Sequence, residues 1–206
     1  MKGSRWKLTG PSALDAASSL LREGRVLALR GLGGFHLAVD ATDELAVRRL
    51  RGRKGRDEKP LAVMVRDLQE VRKVGRPDAQ EEGLLSSPER PIVLISRREG
   101  SPLAPSVAPG LARVGVMLPY TPLHHLLLEA MGRPLVMTSG NASEDPMVTE
   151  NSDVREKLES VADGFLLHDR DIVNRCDDSV VQVVGGAALF HRRARGFAPL
   201  PLPLPL

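Results

Sequence analysis

Between Arg48 and Lys59, seven of twelve residues are cationic. Lys54, Arg56 and Lys59 crowd the junction between a helical pattern and the predicted strand Ala62–Val65. Cations fixed at an element junction can grip a polyphosphate, whereas long cationic side chains on a solvated face are screened by water. A solvated helix face would carry the same run. Lysine is scarce, 6 of the 29 basic residues, yet Lys54 and Lys59 both fall here. A second segment suited to anions, Thr138-Ser139-Gly140-Asn141, follows the predicted strand Leu135–Met137. Its hydroxyl and amide groups can bond phosphate or carbonyl oxygens, and Gly140 permits a positive φ; a structural turn capped by Asn141 would use the same residues.

Three more segments bear on chemistry. Gly31-Leu32-Gly33-Gly34 ends a predicted strand, where small residues let backbone N–H groups approach a ligand. It lacks the full dinucleotide fingerprint, so a tight turn fits equally well. Phe35 and His36 follow, and His36 reads either as a core histidine or as a catalytic one. Asn174-Arg175-Cys176-Asp177-Asp178-Ser179 places two carboxylates where they can meet magnesium or pair with arginines. On a strand they point to opposite faces and do not act together. Cys176 has no histidine near it in sequence to make it a nucleophile. His191–Gly196 supplies a second cationic cluster able to clamp an α-phosphate opposite Lys54 and Arg56. No zinc-type C-x-x-C pair, Walker loop or G-x-S-x-G elbow occurs, and the adjacent His124 and His125 cannot face one metal from a single helix. What remains is binding of a nucleotide and a small anion, without a covalent nucleophile.

The elements that must position these groups follow from apolar spacing and turn residues. Helices are predicted over Ala13–Glu23 (capped by Pro11-Ser12), Asp43–Leu50 (capped by Thr42), Pro122–Ala130 and Asn151–Val161. A helical stretch over Leu68–Leu85 is interrupted near Gly75 and Pro77. Strands are predicted at Val26–Leu29, Leu37–Val39, Ala62–Val65, Ile92–Ile95, Val114–Leu118, Leu135–Met137 and Phe165–Leu167. A closing hairpin joins Val180–Val184 to Ala188–Phe190 across Gly185-Gly186. Alternating strands and helices make this an α/β sheet with some antiparallel character. At 206 residues the chain fits one domain. A single cysteine excludes an internal disulfide, and 3% aromatic content argues against a base-stacking platform. A net charge of +3 implies no nucleic acid by itself. No apolar run approaches the roughly 20 residues that span a bilayer, and no secretory signal opens the chain, so a cytoplasmic protein with no membrane partner is expected.

Taken in order, Arg30–Asp40, Arg53–Pro60, Thr138–Ser143, Val173–Val180 and Arg192–Gly196 resemble the YrdC-like domain of the HypF family of hydrogenase-maturation carbamoyltransferases. The likeness spans residues 12–200, and Gly-Gly-Phe-His and Arg-Cys-Asp-Asp-Ser resemble that branch in particular. It implies an open, twisted mixed sheet with flanking helices and a concave cationic face that binds ATP with Mg2+ on its triphosphate. The domain would cover 12–198, with an N-terminal extension over 1–11 and a proline-rich tail or linker over 199–206. By resemblance, Lys54 and Arg56 grip phosphates, with Lys59 beside them. Ser139, Asn141 and Ser179 lie at the nucleotide, and Arg192 or Arg193 is the late arginine at the phosphates. Gly33, Gly34, Phe35, His36 and Arg175 would form the substrate side. The implied reaction makes carbamoyl-adenylate from ATP and carbamate or carbamoyl phosphate, and the acceptor HypE would need further domains. The acylphosphatase-like and zinc motifs of the full-length enzymes are missing, which implies an excised piece, a split gene product or a stand-alone relative. Within the same fold the alternative is threonylcarbamoyl-adenylate synthesis, where the strand end would read Thr-Glu-Thr rather than Gly31–His36. A weak double-stranded RNA-binding role is the reading from a different class.

Overall fold

The computed structural model describes residues 8–56, 59–141 and 145–201. Helix α1 (Pro11–Arg22) opens on a proline at its first position, with Gly10 rather than a serine as N-cap. Strands β1 (Leu27–Arg30) and β2 (Phe35–Asp40) form an antiparallel pair around the glycine-rich turn. Helix α2 (Glu44–Lys54) is capped by Asp43, whose carboxylate accepts from Leu45 N and Ala46 N. The expected cap, Thr42, instead donates its hydroxyl to Asp40 Oδ1 at 2.6 Å. The helix runs one turn beyond the predicted Leu50, because a basic turn suits the negative end of the dipole and Gly55 closes it at φ 59°.

Strand β3 (Ala62–Met64) precedes α3 (Leu68–Val74), the short β4 (Gly75–Arg76) and α4 (Ala79–Ser86), so the interruption expected near Gly75 is a strand fragment. Next come β5 (Ile92–Arg97), a 3-10 turn at Pro105–Val107, β6 (Arg113–Met117), α5 (Pro122–Met131) and β7 (Leu135–Ser139). Helix α6 (Val154–Leu158) is shorter than expected. Strand β8 (Gly164–Leu166) and the hairpin β9 (Val180–Val184) and β10 (Ala187–Arg192) complete the order. Residues 196–199 form a turn, so the tail expected to be extended begins folded; residues 202–206 lie outside the described residues.

Among the described residues, ten strands form one mixed sheet in the order β10-β9-β5-β6-β3-β7-β2-β1-β8, with β4 on β5. The parallel pairs are β1–β8, β3–β6 and β5–β9; the others are antiparallel. Both faces are covered. Val26, Ala28, Phe35, Leu37 and Val39 pack with Val47 and Leu50 of α2 and Leu158 of α6. Leu27, Leu29, Ala38 and Met137 pack with Leu21 of α1 and Leu127 of α5. Two covered faces explain why β2 is buried at every position and shows no apolar–polar alternation.

Candidate functional site

The basic run divides by helical phase. Val47, Leu50, Arg51 and Lys54 share the buried stripe of α2, while Arg48, Arg49 and Arg53 face outward. The outward arginines are engaged: Arg48 with Glu44, Arg49 with the Gly24 carbonyl, Arg53 with Asp163 at 2.9 and 3.0 Å. Arg51 donates to the carbonyls of Ser106 and Arg56, which shapes the turn after the helix.

Lys54 therefore arrives at the strand ends with only 6% of its surface exposed. Its ammonium donates to the Ser139 carbonyl at 2.6 Å and to Asn141 Oδ1 at 2.8 Å. Ser139 Oγ donates to the same Asn141 oxygen at 2.7 Å, and Asn141 Nδ2 donates to the Asp145 carbonyl. Burial, with the neighbouring Arg56 charge, pushes Lys54 down to about 8. Arg56 donates to Thr138 Oγ1 and the Pro60 carbonyl, both at 2.9 Å. Burial and the charges of Arg51 and Arg192 lower its proton affinity too. Among the described residues, no carboxylate lies within ion-pair distance of Lys54, Arg56 or Arg192. Arg56 thus neighbours both Lys54 and Arg192, and none of the three has a counter-charge among the described residues, an arrangement suited to a polyanion.

The other expected site residues sort differently. Gly140 has no positive φ; it is small because its Cβ would meet the Phe35 carbonyl, to which its N–H donates at 2.6 Å. Phe35 is fully buried among the α2-side core residues, because odd-numbered β2 residues face that layer, and it cannot line a substrate pocket as expected. Ser179 is fully buried too, its hydroxyl donating to the Arg195 carbonyl and accepting from Ala194 N. It fastens the arginine segment rather than presenting a free hydroxyl. Arg193 turns to the Leu200 carbonyl, so Arg192 is the arginine that neighbours Arg56. Lys59 and Arg175 are exposed, and no hydrogen bond or ion pair links them to the network among the described residues.

Gly33 and Gly34 act through close approach. Gly33 accepts from Cys176 N at 3.1 Å, and a Cβ there would collide with the Cys176 backbone; at Gly34 it would meet the Met147 side chain. Gly33→Ala is expected to lose about 1–3 kcal/mol by overpacking against backbone that cannot give. Gly34→Ala should lose less, because the end of Met147 can shift. Thermal unfolding of the two variants side by side checks the order.

One constellation was not assembled from the sequence. Asp178, nearly buried, pairs with Arg195 Nε at 2.8 Å and lies 3.4 Å from His36 Nε2. Burial alone would raise its pKa, but the hydrogen bonds and charges of His36 and Arg195 hold it well below the carboxylate range. The Arg195 guanidinium sits 3.7 Å over the Tyr120 ring, and Tyr120 stacks edge-on against His124. Burial and the His36 charge push His124 down to about 3, so it is neutral. Cys176 is raised by burial, which disfavours a thiolate. Asp177 is exposed, so the two acids do act apart. The arginine-rich end of the sequence pointed to this cluster, but only the fold brings Tyr120 and His124 to it.

An open mixed sheet with a buried lysine and two arginines beside its strand ends defines a class of α/β domains. Comparison with known proteins names the class. The Sua5/YciO/YrdC family model, described as "Telomere recombination", matches residues 19–194, and the chain belongs to that family. It is 51% identical over 193 residues to the carbamoyltransferase HypF of Synechocystis sp., covering 94% of this chain and 25% of that protein. Full-length HypF solved in a phosphate- and nucleotide-bound form superimposes with a TM-score of 0.89 at 50% identity, covering 92% of this chain and 30% of that one. The threonylcarbamoyl-AMP synthase of Bacillus subtilis is 27% identical over 176 residues, covering 81% of this chain and 51% of that protein. The chain thus spans about a quarter of the HypF relatives it matches. Among the described residues, no helix is long and apolar enough to cross a membrane, and no group of three His, Cys, Asp or Glu side chains is arranged to hold a metal ion.

Proposed function

We propose that this chain carries out the adenylation half of a HypF-type carbamoyl transfer, forming carbamoyl-AMP and pyrophosphate from ATP and carbamate. The observation that carries the reading is the group Lys54, Arg56 and Arg192, unpaired with any carboxylate among the described residues, with Lys54 fastened to the Ser139–Asn141 turn. A carbamate oxygen attacks the α-phosphorus; the new O–P bond forms as the bond to the bridging oxygen breaks, and pyrophosphate leaves with that electron pair. Negative charge grows on the phosphoryl oxygens and on pyrophosphate, and fixed cations stabilise it without any covalent nucleophile. Magnesium would arrive on the triphosphate and neutralise part of its charge. Carbamoyl phosphate would serve as the source of carbamate in the longer relatives, and transfer to the acceptor HypE would belong to the part of them this chain does not span. The need for ATP and magnesium supports a cytoplasmic setting for this reaction.

The likeness at half identity to HypF, against 27% to the threonylcarbamoyl-AMP synthase, favours carbamate over threonine as the nucleophile. The outward cations of α2 that an RNA duplex would use are largely engaged with Glu44, Gly24 and Asp163. ATP–pyrophosphate exchange decides between the enzyme readings. Exchange dependent on ammonium carbamate and indifferent to threonine is expected. Exchange that requires threonine with bicarbonate would replace this reading with threonylcarbamoyl-adenylate synthesis.

A further inference from the structure

Arg30 is the last residue of β1, at the mouth of the Gly31–Gly34 turn, and only 3% of its surface is exposed. A buried guanidinium ordinarily has a carboxylate beside it, because an unpaired buried charge is strongly destabilising. Arg30 has none within ion-pair distance among the described residues. Its one hydrogen bond is a long one, from Nη1 to the His168 carbonyl at 3.4 Å, and its Nε has no partner. The same carbonyl accepts from Asn151 Nδ2 at 2.9 Å, which brings Asn151 alongside Arg30 and fixes its amide orientation. Asn151 Oδ1 is then buried without a donor, and His168 Nδ1 is likewise buried without a partner. Burial, followed by the Arg30 charge, lowers the pKa of His168, which keeps it neutral.

The unpartnered atoms are thus a cationic donor on Arg30, an acceptor on Asn151 and a ring nitrogen on His168. They complement a small planar anion that has a carboxylate at one end and a hydrogen donor at the other. We propose that Arg30, Asn151 and His168 form a buried subsite for such an anion, of which carbamate is the matching example, at the strand end beside the proposed nucleotide site. Carbamate would put its carboxylate on the Arg30 fork and its amino group on Asn151 Oδ1. Bicarbonate presents the same pattern through its hydroxyl. Acetate has the same planar carboxylate but no donor and fits only half of the subsite. This assignment rests on the adenylation reading for its purpose, though not for its chemistry.

The test uses the full chain, Arg30→Met, Asn151→Leu and Asn151→Asp, with ammonium carbamate, bicarbonate and acetate as probes. In ATP–pyrophosphate exchange, Arg30→Met is expected to raise the KM for carbamate at least tenfold while the KM for ATP stays within twofold. Its thermal midpoint should hold or rise, since an unpaired buried charge has been replaced by an apolar chain of similar length. Asn151→Asp supplies an internal counter-ion to Arg30 and should weaken carbamate while raising the thermal midpoint; Asn151→Leu should weaken carbamate but leave acetate unchanged. If the wild-type chain shows no exchange with any substrate, the adenylation reading falls, and binding still decides the subsite. Carbon-13 carbamate or bicarbonate resonances should then broaden with wild type and not with Arg30→Met. Equal broadening by both proteins, or an unchanged carbamate KM, overturns the subsite. A fall in thermal midpoint with ATP and carbamate weakened in parallel assigns Arg30 a structural role instead.

Discussion

Lys54→Met is expected to lower carbamate-dependent ATP–pyrophosphate exchange about a hundredfold, the effect of removing one fixed charge from a phosphoryl-transfer site. Lys54 reaches the site because α2 continues its buried stripe through a final basic turn, and Asn141 and the Ser139 carbonyl hold the ammonium in one place. Lys54→Arg should not restore the rate, since a planar fork cannot occupy a pocket built around a point charge. Exchange within threefold of wild type in Lys54→Met would remove this lysine from the mechanism.

The same lysine sets a pH signature. Burial and Arg56 hold Lys54 at about 8, so above that pH the free protein increasingly presents a neutral amine. Bound phosphate favours the charged form, so ATP binding must take up a proton there, and affinity should fall by up to about tenfold per pH unit above 8. Stability moves the opposite way. The unfolded lysine keeps its proton to about 10.5, so between 8 and 10.5 the unfolded chain binds more protons, and this residue's contribution to stability grows with pH. Lys54→Met should lack both trends, which ATP titration and denaturant unfolding at pH 7 to 10 would show.

Local signals carried most of the fold. Apolar spacing and the Gly185-Gly186 turn located every α-helix and strand within a few residues, apart from the two-residue β4; the 3-10 turn at Pro105–Val107 was not located. Sheet order was not legible, because pairing β5 with β9 joins segments more than 80 residues apart, which no local pattern encodes. Lys54 and the Ser139–Asn141 turn were each legible as polar segments at element junctions, and the fold brings them into contact. Phe35 was misplaced because neighbouring strand residues face opposite layers, so adjacency to Gly34 and His36 says nothing about a shared face. Arg30 was passed over because a strand-ending arginine looks solvated until both faces of the sheet are seen to be covered. Asp178 and Arg195 were legible as charges but not as a pair. Their contact depends on the hairpin returning β10 to the start of β9, where Asp178 bridges Arg195.

That pair carries the largest expected effect on stability. Asp178→Ala should cost about 3–5 kcal/mol, because it strands the Arg195 charge in a site where its side chain is only 13% exposed. For a chain of this size that corresponds to a fall of roughly 6–20 °C in thermal midpoint. Arg195 also holds the Glu89 and Arg90 carbonyls and covers Tyr120, so the arginine segment carrying Arg192 should loosen and exchange should fall with stability. The double variant Asp178→Ala/Arg195→Leu removes both charges and should recover much of the loss, as a buried pair often matches its apolar replacement. Because the folded-state pKa of Asp178 is depressed, its contribution is fully present above the ordinary aspartate value of 3.8 and is lost as pH falls through the folded pKa. Wild type and Asp178→Ala should therefore converge only in strong acid. Asp177→Ala, at the exposed neighbouring carboxylate, is the control and should stay within about 0.5 kcal/mol of wild type. Equal losses from the two alanine variants would show that the buried pair does not hold this end of the sheet together.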